Sequence, residues 1–304
     1  MDPSGSNHRW PAIPVEGWSD TRDTFHLWTQ VVGKVRLAHE PVVSHWWNVP
    51  LYVGARGFGT TLITPSKGPA FEVNFDLLDS LLRVTTTDGT EEAIALEPRT
   101  VADFHAEVMA ALDAAGVPTE IWPVPVEIEG AIPFARDDVH ASYDAEAVRR
   151  FWLACVQIQR VFTAFRSRFV GKSSPVHLFW GALDLAVTRF SGRPAPLHPG
   201  GAPNCGPFVM HEAYSHEVSS AGYWPGGDGE GVFYSYAYPE PDGYRDVAVR
   251  PADASFSDEL GEFVLPYEAV RTALDPDALL LEFLQSTYEA AADSATWDRR
   301  SLER

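Results

Sequence analysis

The chain has 304 residues, 45% of them hydrophobic and 21% charged, so it can bury a full core and is unlike disordered or collagen-like chains. Its 23 basic and 42 acidic residues give a formal charge of −19, the wrong sign for a surface that binds nucleic acid or anionic lipid. No segment approaches the run of about 20 apolar residues that crosses a membrane. We therefore expect a soluble protein without nucleic-acid or membrane partners.

The cysteines and the charge distribution add two expectations. Cys155 and Cys205 are the only cysteines, too few for a disulfide scaffold, and no signal sequence is recognisable, so we expect a cytoplasmic protein. Residues 149–193 contain eight basic residues and one acidic residue, whereas both flanking regions are acidic. Either the acidic ends neutralise this basic segment, or the segment contains an anion-binding site.

In chain order, prolines indicate an extended arm over residues 1–20. A helix follows, with Asp20 or Thr21 as its cap and its end near His39, because apolar residues recur at helical spacing. Between Ser44 and Leu96, β-branched and aromatic runs alternate with turns, which predicts an antiparallel meander of four or five strands. The apolar residues at helical spacing in the helix that ends near His39 are Phe25, Trp28, Val32 and Val35.

The meander ends in further local signals. Thr87-Asp88-Gly89-Thr90 lies between alternating apolar runs, which is typical of a hairpin turn. Thr100 is positioned to cap a second helix, and Gly116 to end it. Residues 119–128 contain prolines and predict an edge strand.

The middle of the chain is interpreted as two helices. Residues 143–170 carry eight apolar residues on one helical face, which predicts a long central helix. Residues 176–190 are apolar almost all round, which we interpret as a second, buried helix. The apolar residues of the central helix are Val148, Phe151, Trp152, Cys155, Ile158, Phe162, Phe165 and Phe169.

The last third repeats the order of strands followed by a helix. Strands are predicted over residues 208–220, 231–238 and 244–250 and in the segment GEFVLP, and the terminal helix is predicted to start at Asp275-Pro276. The ends of the two β regions share an acidic turn, a short strand ending in Leu and Pro, and a helix. Internal duplication is one explanation; independent use of a common strand–turn–helix arrangement is the other.

The predicted helix 176–190 carries a polar stripe that suggests chemistry. His177, Asp184 and Thr188 would fall within about 60° on a buried helix, bordered by Trp180, and would need partners or a cavity. His177 and Asp184 would be about 10 Å apart, too far for a direct pair but suited to one ligand. We consider both residues candidate catalytic groups; the alternative is a hydrogen-bonded pair within the core.

Residues 211–224 concentrate ionisable and aromatic side chains. On a strand, Glu212, Tyr214 and His216 would share one face, and His211 and Glu217 the other, so each face carries a His and a Glu suited to acid/base work. His216 and Glu217 are thus candidate catalytic residues, and Glu212 and Tyr214 candidate ligand-binding residues. A metal held by His211, Glu212 and His216 is a weaker alternative, because the spacing is one residue longer than in H-E-x-x-H.

Other candidate ligand-binding residues are aromatic or cationic. Trp46, Trp47 and Asn48 form a cluster in which paired tryptophans suit a core on one side and a ligand on the other. The ammonium group of Lys172, in a Gly/Ser turn before the predicted helix, could bind an anion together with the helix N-terminus. Arg166 and Arg189 could add positive charge; Trp180 would form a wall.

Several long segments resemble a bacterial family, domain of unknown function 5996, over about residues 10–298. The resemblance implies one family-wide structural unit in a bacterial protein and implies no activity, cofactor or catalytic residue. The segments are WPAIPVEGW, FHLWTQVVGKVRLA, HWWNVPLYV, HASYD, GKSSPVHLFWGALDLAVTRFSGRPAP, EAYSHEVSSAGYWPGG, FYSYAYPEP and LLEFLQSTYEAAAD.

Together these patterns predict an α+β protein in which antiparallel sheets from both halves pack on the long central helix. After the arm, residues 21–304 would form a single domain built from residues 21–130, 143–193 and 205–298. The expected function is an enzyme acting on a small anionic metabolite in a pocket lined by His, Glu, Asp and Trp. The alternative is a non-catalytic protein that binds a small molecule or another protein. The sequence indicates neither a cofactor nor an oligomeric state.

Overall fold

The computed structural model describes residues 9–227 and 229–304. Its helices are α1 (Ser19–His39), α2 (Val101–Ala114), α3 (Ala145–Ser167), α4 (Pro207–Ala213), α5 (Tyr267–Thr272), α6 (Pro276–Ser294) and α7 (Arg299–Leu302). Its strands are β1 (Tyr52–Val53), β2 (Gly57–Gly59), β3 (Phe71–Asp76), β4 (Leu81–Thr86), β5 (Glu91–Ala95), β6 (His177–Phe179), β7 (Asp184–Pro194), β8 (His216–Trp224), β9 (Val232–Tyr238), β10 (Ser255–Ser257) and β11 (Glu262–Pro266). None of these helices is long and apolar enough to cross a membrane.

The described part of the predicted arm packs against the C-terminal half. Trp10 and Ile13 are buried, and the backbone N–H of Ile13 donates to Glu230 Oε1 at 3.0 Å. Helix α1 then ends at His39 as expected, but Trp18 occupies its cap position without a side-chain hydrogen bond. Thr21 Oγ1 instead accepts the backbone N–H of Asp144, so it joins α1 to the start of α3. Residues 1–8 of the predicted arm lie outside the described residues.

The first sheet confirms the predicted meander. Its order is β1-β2-β3-β4-β5, with every neighbouring pair antiparallel. The turn at Asp88-Gly89 joins β4 to β5, where Gly89 has φ +90°, a conformation that favours glycine. Thr100 caps α2 by accepting the N–H of Asp103 at 3.0 Å.

The edge strand predicted over residues 119–128 is wrong. The segment is irregular, with Glu127 at φ +59°, and pairs with no strand, because side chains of α1 take up its backbone groups. Gln30 Oε1 accepts the N–H of Val126, Gln30 Nε2 donates to Val126 O, and Lys34 Nζ donates to Val124 O at 2.7 Å.

The helix predicted over residues 176–190 is also wrong: this segment is the β6–β7 hairpin, with Phe179 opposite Asp184 and His177 opposite Ala186. Leu183 adopts φ +60° in the turn. Residues on both faces of the hairpin are largely buried, so few polar residues interrupt the run. A buried strand pair and a buried helix then have the same hydropathy pattern.

The second sheet has the order β10-β11-β9-β8-β7-β6. Strands were correctly predicted at β9 and β11. Residues 207–213, where a strand was also predicted, form α4 instead; Pro207 is its first residue, a position that favours proline in helices. The strand therefore starts only at His216. The strand predicted over residues 244–250 is replaced by a 3₁₀ turn at Tyr244–Asp246.

Helix α3 is the predicted central helix. The Asp144 carboxylate caps it by accepting the N–H groups of Glu146 and Ala147, and α3 contacts β1 and β2 of the first sheet, β7 of the second, and α6. One continuous cluster of buried apolar residues includes both sheets and α3. The architecture is thus α+β, with sheets from both halves packed on α3. The two sheets differ in strand number and order.

Candidate functional site

A cavity of about 990 Å³ lies over one face of the second sheet. Its volume and mostly apolar, aromatic lining are typical of a small-molecule site. Strands β7, β8, β9 and β11 form its floor, and α1, α4 and residues 42–49 and 122–127 form its walls. The lining residues used below are Lys34, His45, Trp46, Trp47, Trp122, Glu127, Trp180, Asp184, Thr188, Cys205, Phe208, Tyr214, Ser220, Tyr234, Tyr236 and Glu262.

Strand register brings polar side chains together on the floor. Thr188 pairs with Ser220, and Ser220 with Tyr236, and directly paired residues point to the same side of a sheet. The hydroxyls of Thr188 and Ser220 are 2.8 Å apart, as are those of Tyr236 and Tyr214. The floor is therefore a band of hydrogen-bonded hydroxyl groups.

Asp184 is the most buried carboxyl group on the floor. The Tyr234 hydroxyl donates a hydrogen bond to Asp184 Oδ2, and Asp184 is 9% exposed. Burial raises the pKa of the Asp184 carboxyl to about 6, although the bond from Tyr234 opposes that shift. Gly222 makes room for this contact, because a Cβ there would lie 2.3 Å from the Tyr234 ring.

Two further carboxyl groups, Glu127 and Glu262, face the same cavity. Burial raises the pKa of each to about 7, and the Asp184 carboxyl contributes to both shifts. Glu127 is solvent-exposed as a whole residue, yet its carboxyl lies against Gly181, where a Cβ would come within 2.1 Å of Glu127 Oε1. We attribute its raised pKa to that enclosed end of the side chain. The cavity thus holds three carboxyl groups that change protonation near neutral pH.

One wall of the cavity also carries an ammonium group. Lys34 is 3% exposed, and its Nζ lies 5.7 and 5.9 Å from the ring centroids of Phe134 and Trp180. Burial lowers the pKa of Lys34 to about 8. Burial raises the pKa of the Cys205 thiol, and the nearby Glu127 carboxyl adds to that shift while Lys34 opposes it.

Two tryptophan side chains in the cavity walls are held in place by hydrogen bonds. Trp46 Nε1 donates to Val209 O at 2.8 Å, and Trp180 Nε1 donates to Val49 O at 2.9 Å. At the mouth, Trp122 is 64% and Phe208 62% exposed. The walls are therefore anchored aromatic rings, whereas the rim leaves aromatic surface open to solvent.

Five of the residues predicted as ligand-binding or catalytic line this cavity: Asp184, Trp180, Tyr214, Trp46 and Trp47. Asp184 is on a strand and not on the predicted helix, so its neighbours are Tyr234 and the floor hydroxyls.

His177 lies apart from these groups. It is fully buried, and neither ring nitrogen has a hydrogen-bond partner among the described residues. Burial lowers its pKa to about 3, with smaller contributions from Arg36 and Arg166. A neutral, enclosed ring of this kind is poorly suited to proton transfer with a ligand.

Lys172 and His45 form a pair beside the cavity. Lys172 Nζ lies 2.7 Å from His45 Nε2, while His45 Nδ1 lies near the carbonyls of Glu212 and Ala213. The imidazole therefore carries its proton on Nδ1 and accepts from Lys172. Glu212 Oε1 accepts the N–H of His45 at 2.9 Å. Lys172 and Glu212 thus hold the segment before Trp46 in place.

Three charged residues predicted for the site contact other parts of the protein and do not line the cavity. Arg189 is 1% exposed and lies over the rings of Phe165 and Tyr288, on the core side of the sheet. Arg166 donates to Ser174 O. Glu217 forms an ion pair with Arg193 at 2.7 Å.

The remaining predicted residues border the cavity region without lining it. Asn48 is buried and accepts the N–H of Val43. The His216 ring lies 5.8 Å from that of His45, and His211 is in α4. Among the described residues, no group of three His, Cys, Asp or Glu side chains could hold a metal ion.

The basic segment is partly neutralised by ion pairs from the C-terminal acidic region: Arg160 pairs with Asp277, and Arg193 with Glu217. Its one acidic residue, Asp184, is on the cavity floor. None of its arginines lines the cavity within the described ranges.

Sequence reasoning missed Lys34, Glu127, Tyr234, Tyr236 and Glu262. Two signals were available: tyrosines alternate in FYSYAY, which puts them on one face of a strand, and Lys34 interrupts an apolar helical run. Glu127 comes from an irregular proline-rich segment, which gives no periodic signal.

Comparison with known proteins identifies one family. No curated protein and no solved structure matches the chain significantly. A family model described as a family of unknown function (DUF5996) matches residues 10–304, nearly the whole length. The chain therefore belongs to the DUF5996 family.

Proposed function

We propose that the cavity is the active site of an enzyme that acts on a small organic molecule by general acid/base catalysis. The observation that carries the proposal is Asp184, a buried carboxyl on the cavity floor with a Tyr234 hydrogen bond and a pKa near 6. Perturbed carboxyls in a concave, aromatic site are typical of catalytic groups.

The carboxyls differ in their hydrogen bonds. The bond donated by Tyr234 favours the ionised form of Asp184, which can accept a proton. Burial and the Asp184 charge both raise the pKa of Glu127 and Glu262, which favours their protonated form and lets them donate one. Carboxyls whose environments separate their pKa values are a common basis for acid/base pairs. In this proposal, carboxyl groups perform the acid/base steps for which His177 and His216 were the candidates from sequence.

The aromatic walls would bind the apolar body of the substrate. Trp46 and Trp180 are held by hydrogen bonds to backbone carbonyls, so their rings lose little freedom on binding. The floor hydroxyls of Thr188, Ser220 and Tyr214 would hydrogen-bond to its polar groups.

A second candidate is a non-catalytic binding protein. The exposed rings of Trp122 and Phe208 at the rim favour it, because exposed aromatic surface often marks a binding site.

We also propose that the protein works in the bacterial cytoplasm on a small molecule, without nucleic-acid or membrane partners. Free Cys155 and Cys205 support a reducing compartment, and the formal charge of −19 disfavours polyanionic partners.

The test starts from a thermal-shift screen of metabolites against the wild-type protein, followed by mass spectrometry of each stabilising compound after incubation. We expect at least one compound to be converted. Asp184→Asn should reduce conversion by about 10²- to 10⁴-fold while the compound still binds. Glu217→Gln, a carboxyl on the core side of the sheet, is the matched control and should convert normally.

One outcome contradicts the enzyme, and another contradicts only the role of Asp184. Compounds that bind the wild type and remain chemically unchanged would favour the binding protein. Conversion that persists in Asp184→Asn would remove the role assigned to Asp184.

A further inference from the structure

We propose that the substrate carries a single negative charge, such as a carboxylate, and that Lys34 binds it. This inference rests on the proposed function, because it takes the same cavity as the ligand site.

The first support is that the Lys34 ammonium lacks a counter-ion. Among the described residues, no carboxylate oxygen lies within 4.0 Å of Nζ, and its hydrogen bond is to the neutral carbonyl of Val124. An ammonium group has three donors, so two remain for a ligand. A buried charge without a partner is costly, and an anion of the ligand would offset that cost.

The second support is the separation of charges within the cavity. Lys34 is the one Lys or Arg among the described lining residues. His45 is held neutral, because burial and Lys172 lower its pKa. Asp184 and Glu262 are on the floor, whereas Lys34 is on a wall; Glu127 comes from the separate wall segment 122–127. An anionic group would therefore bind at the Lys34 wall, with the rest of the ligand over Asp184.

The third support concerns the number of charges. One ammonium matches a singly charged group, whereas a phosphate dianion is normally bound by several donors or cations. Trp180 lines the cavity with its ring centroid 5.9 Å from the ammonium, so its ring would cover the apolar part of the ligand next to its charge. A carboxylic acid with an aromatic or aliphatic body fits this arrangement.

The test uses two probes with the same rings: 8-anilinonaphthalene-1-sulfonate, which is singly charged, and N-phenyl-1-naphthylamine, which is uncharged. Fluorescence titration gives both dissociation constants, and energy transfer from tryptophan reports binding near the aromatic walls. In Lys34→Met, we expect the affinity for the sulfonate to fall by about 10- to 100-fold and that for the uncharged probe to change by less than about twofold.

Controls separate the two lysines that could bind an anion. Lys67→Met removes an exposed lysine and should change neither affinity. Lys172→Met removes the ammonium beside His45 and should leave the preference for the sulfonate intact. If Lys34→Met fails to fold, Lys34→Gln, which keeps a donor near Val124 without the charge, takes its place.

The outcomes distinguish the two proposals. Binding of both probes with equal affinity, unaffected by Lys34→Met, would overturn the role of Lys34 and leave the cavity as a ligand site. Loss of the preference in Lys172→Met alone would assign the anion to Lys172. Binding of neither probe would contradict the proposed function itself.

Discussion

The two faces of the second sheet come from the same strands and differ in almost every property. On the core face, Leu185, Tyr223 and Phe233 are fully buried in the common apolar cluster. On the cavity face, Asp184, Ser220 and Tyr234 bring a carboxyl and hydroxyls to an open space. One residue along a strand separates the two environments. The core face stabilises the fold, and the cavity face keeps polar groups available for a ligand.

The comparison extends to charge. Arg189, on the core face, is enclosed by aromatic rings, and burial lowers its pKa to about 10. Asp184, five positions before Arg189 on the same strand and therefore on the other face, lines the cavity. The buried arginine faces packed aromatic rings, whereas the carboxyl faces the cavity. We therefore expect substitutions on the two faces to differ in kind.

The largest expected effect is on the core face. Phe233→Ala removes a ring that packs 5.4 Å from Tyr223 and 6.0 Å from Tyr267 between centroids. The cavity left behind should lower the free energy of unfolding by about 3–5 kcal/mol, measured by urea denaturation. Tyr236→Phe on the cavity face is the matched comparison; an equal loss there would erase the distinction between the faces.

A smaller effect should appear in the pH dependence of Asp184→Asn. The folded pKa of Asp184 is raised from its ordinary value to about 6, so its stabilising contribution is complete below about pH 4 and is lost as pH rises through 6. The wild type should therefore lose about 2–3 kcal/mol relative to Asp184→Asn between pH 4 and pH 7.5. Urea denaturation across that range measures the difference, and parallel curves would contradict the raised pKa.

Gly222→Ala tests the contact between Tyr234 and Asp184. The added Cβ would lie 2.3 Å from the Tyr234 ring, so the ring must move away from the carboxyl. We expect a loss of about 1–2 kcal/mol from overpacking, together with weaker binding of any cavity ligand. Ala221→Gly, at the adjacent position on the core face, is the comparison; it should lower stability without weakening that binding.

The smallest expected effect is at Glu217. Its ion pair with Arg193 is partly exposed, and such pairs contribute under about 1 kcal/mol. Glu217→Gln should unfold at nearly the wild-type urea concentration and bind cavity ligands normally. A marked loss of binding would return Glu217 to the site that its sequence context suggested.

The spacing of apolar residues was sufficient to predict a helix or strand where that element has one apolar face. The apolar face of α3, with seven of its eight predicted residues inside the helix, the meander β1–β5 and the caps Thr100 and Asp275 were correctly predicted. Periodicity failed for the β6–β7 hairpin, because residues on both of its faces are covered and the turn at Gly181–Leu183 lacks a strong turn sequence.

The site was predicted only in part for a related reason. Asp184 and Trp180 were recognised as unusual in an apolar run, although the wrong element was assigned to them. The partners of Asp184 come from distant strands, and strand register, which pairs Gly222 with Tyr234, cannot be deduced from local patterns. Residues such as Glu127 enter the site through irregular backbone and depend on contacts with α1.

The wall formed by residues 122–127 is held by fewer and more isolated hydrogen bonds than the floor. Its backbone is attached through side-chain bonds from Gln30 and Lys34 and through isolated bonds such as Glu127 N–H to Pro203 O. Local opening of this segment breaks a few hydrogen bonds, each contributing about 1 kcal/mol, whereas the floor opens only when a cooperative sheet separates. Displacement of this one segment would therefore cost less free energy than any change in the geometry of the floor.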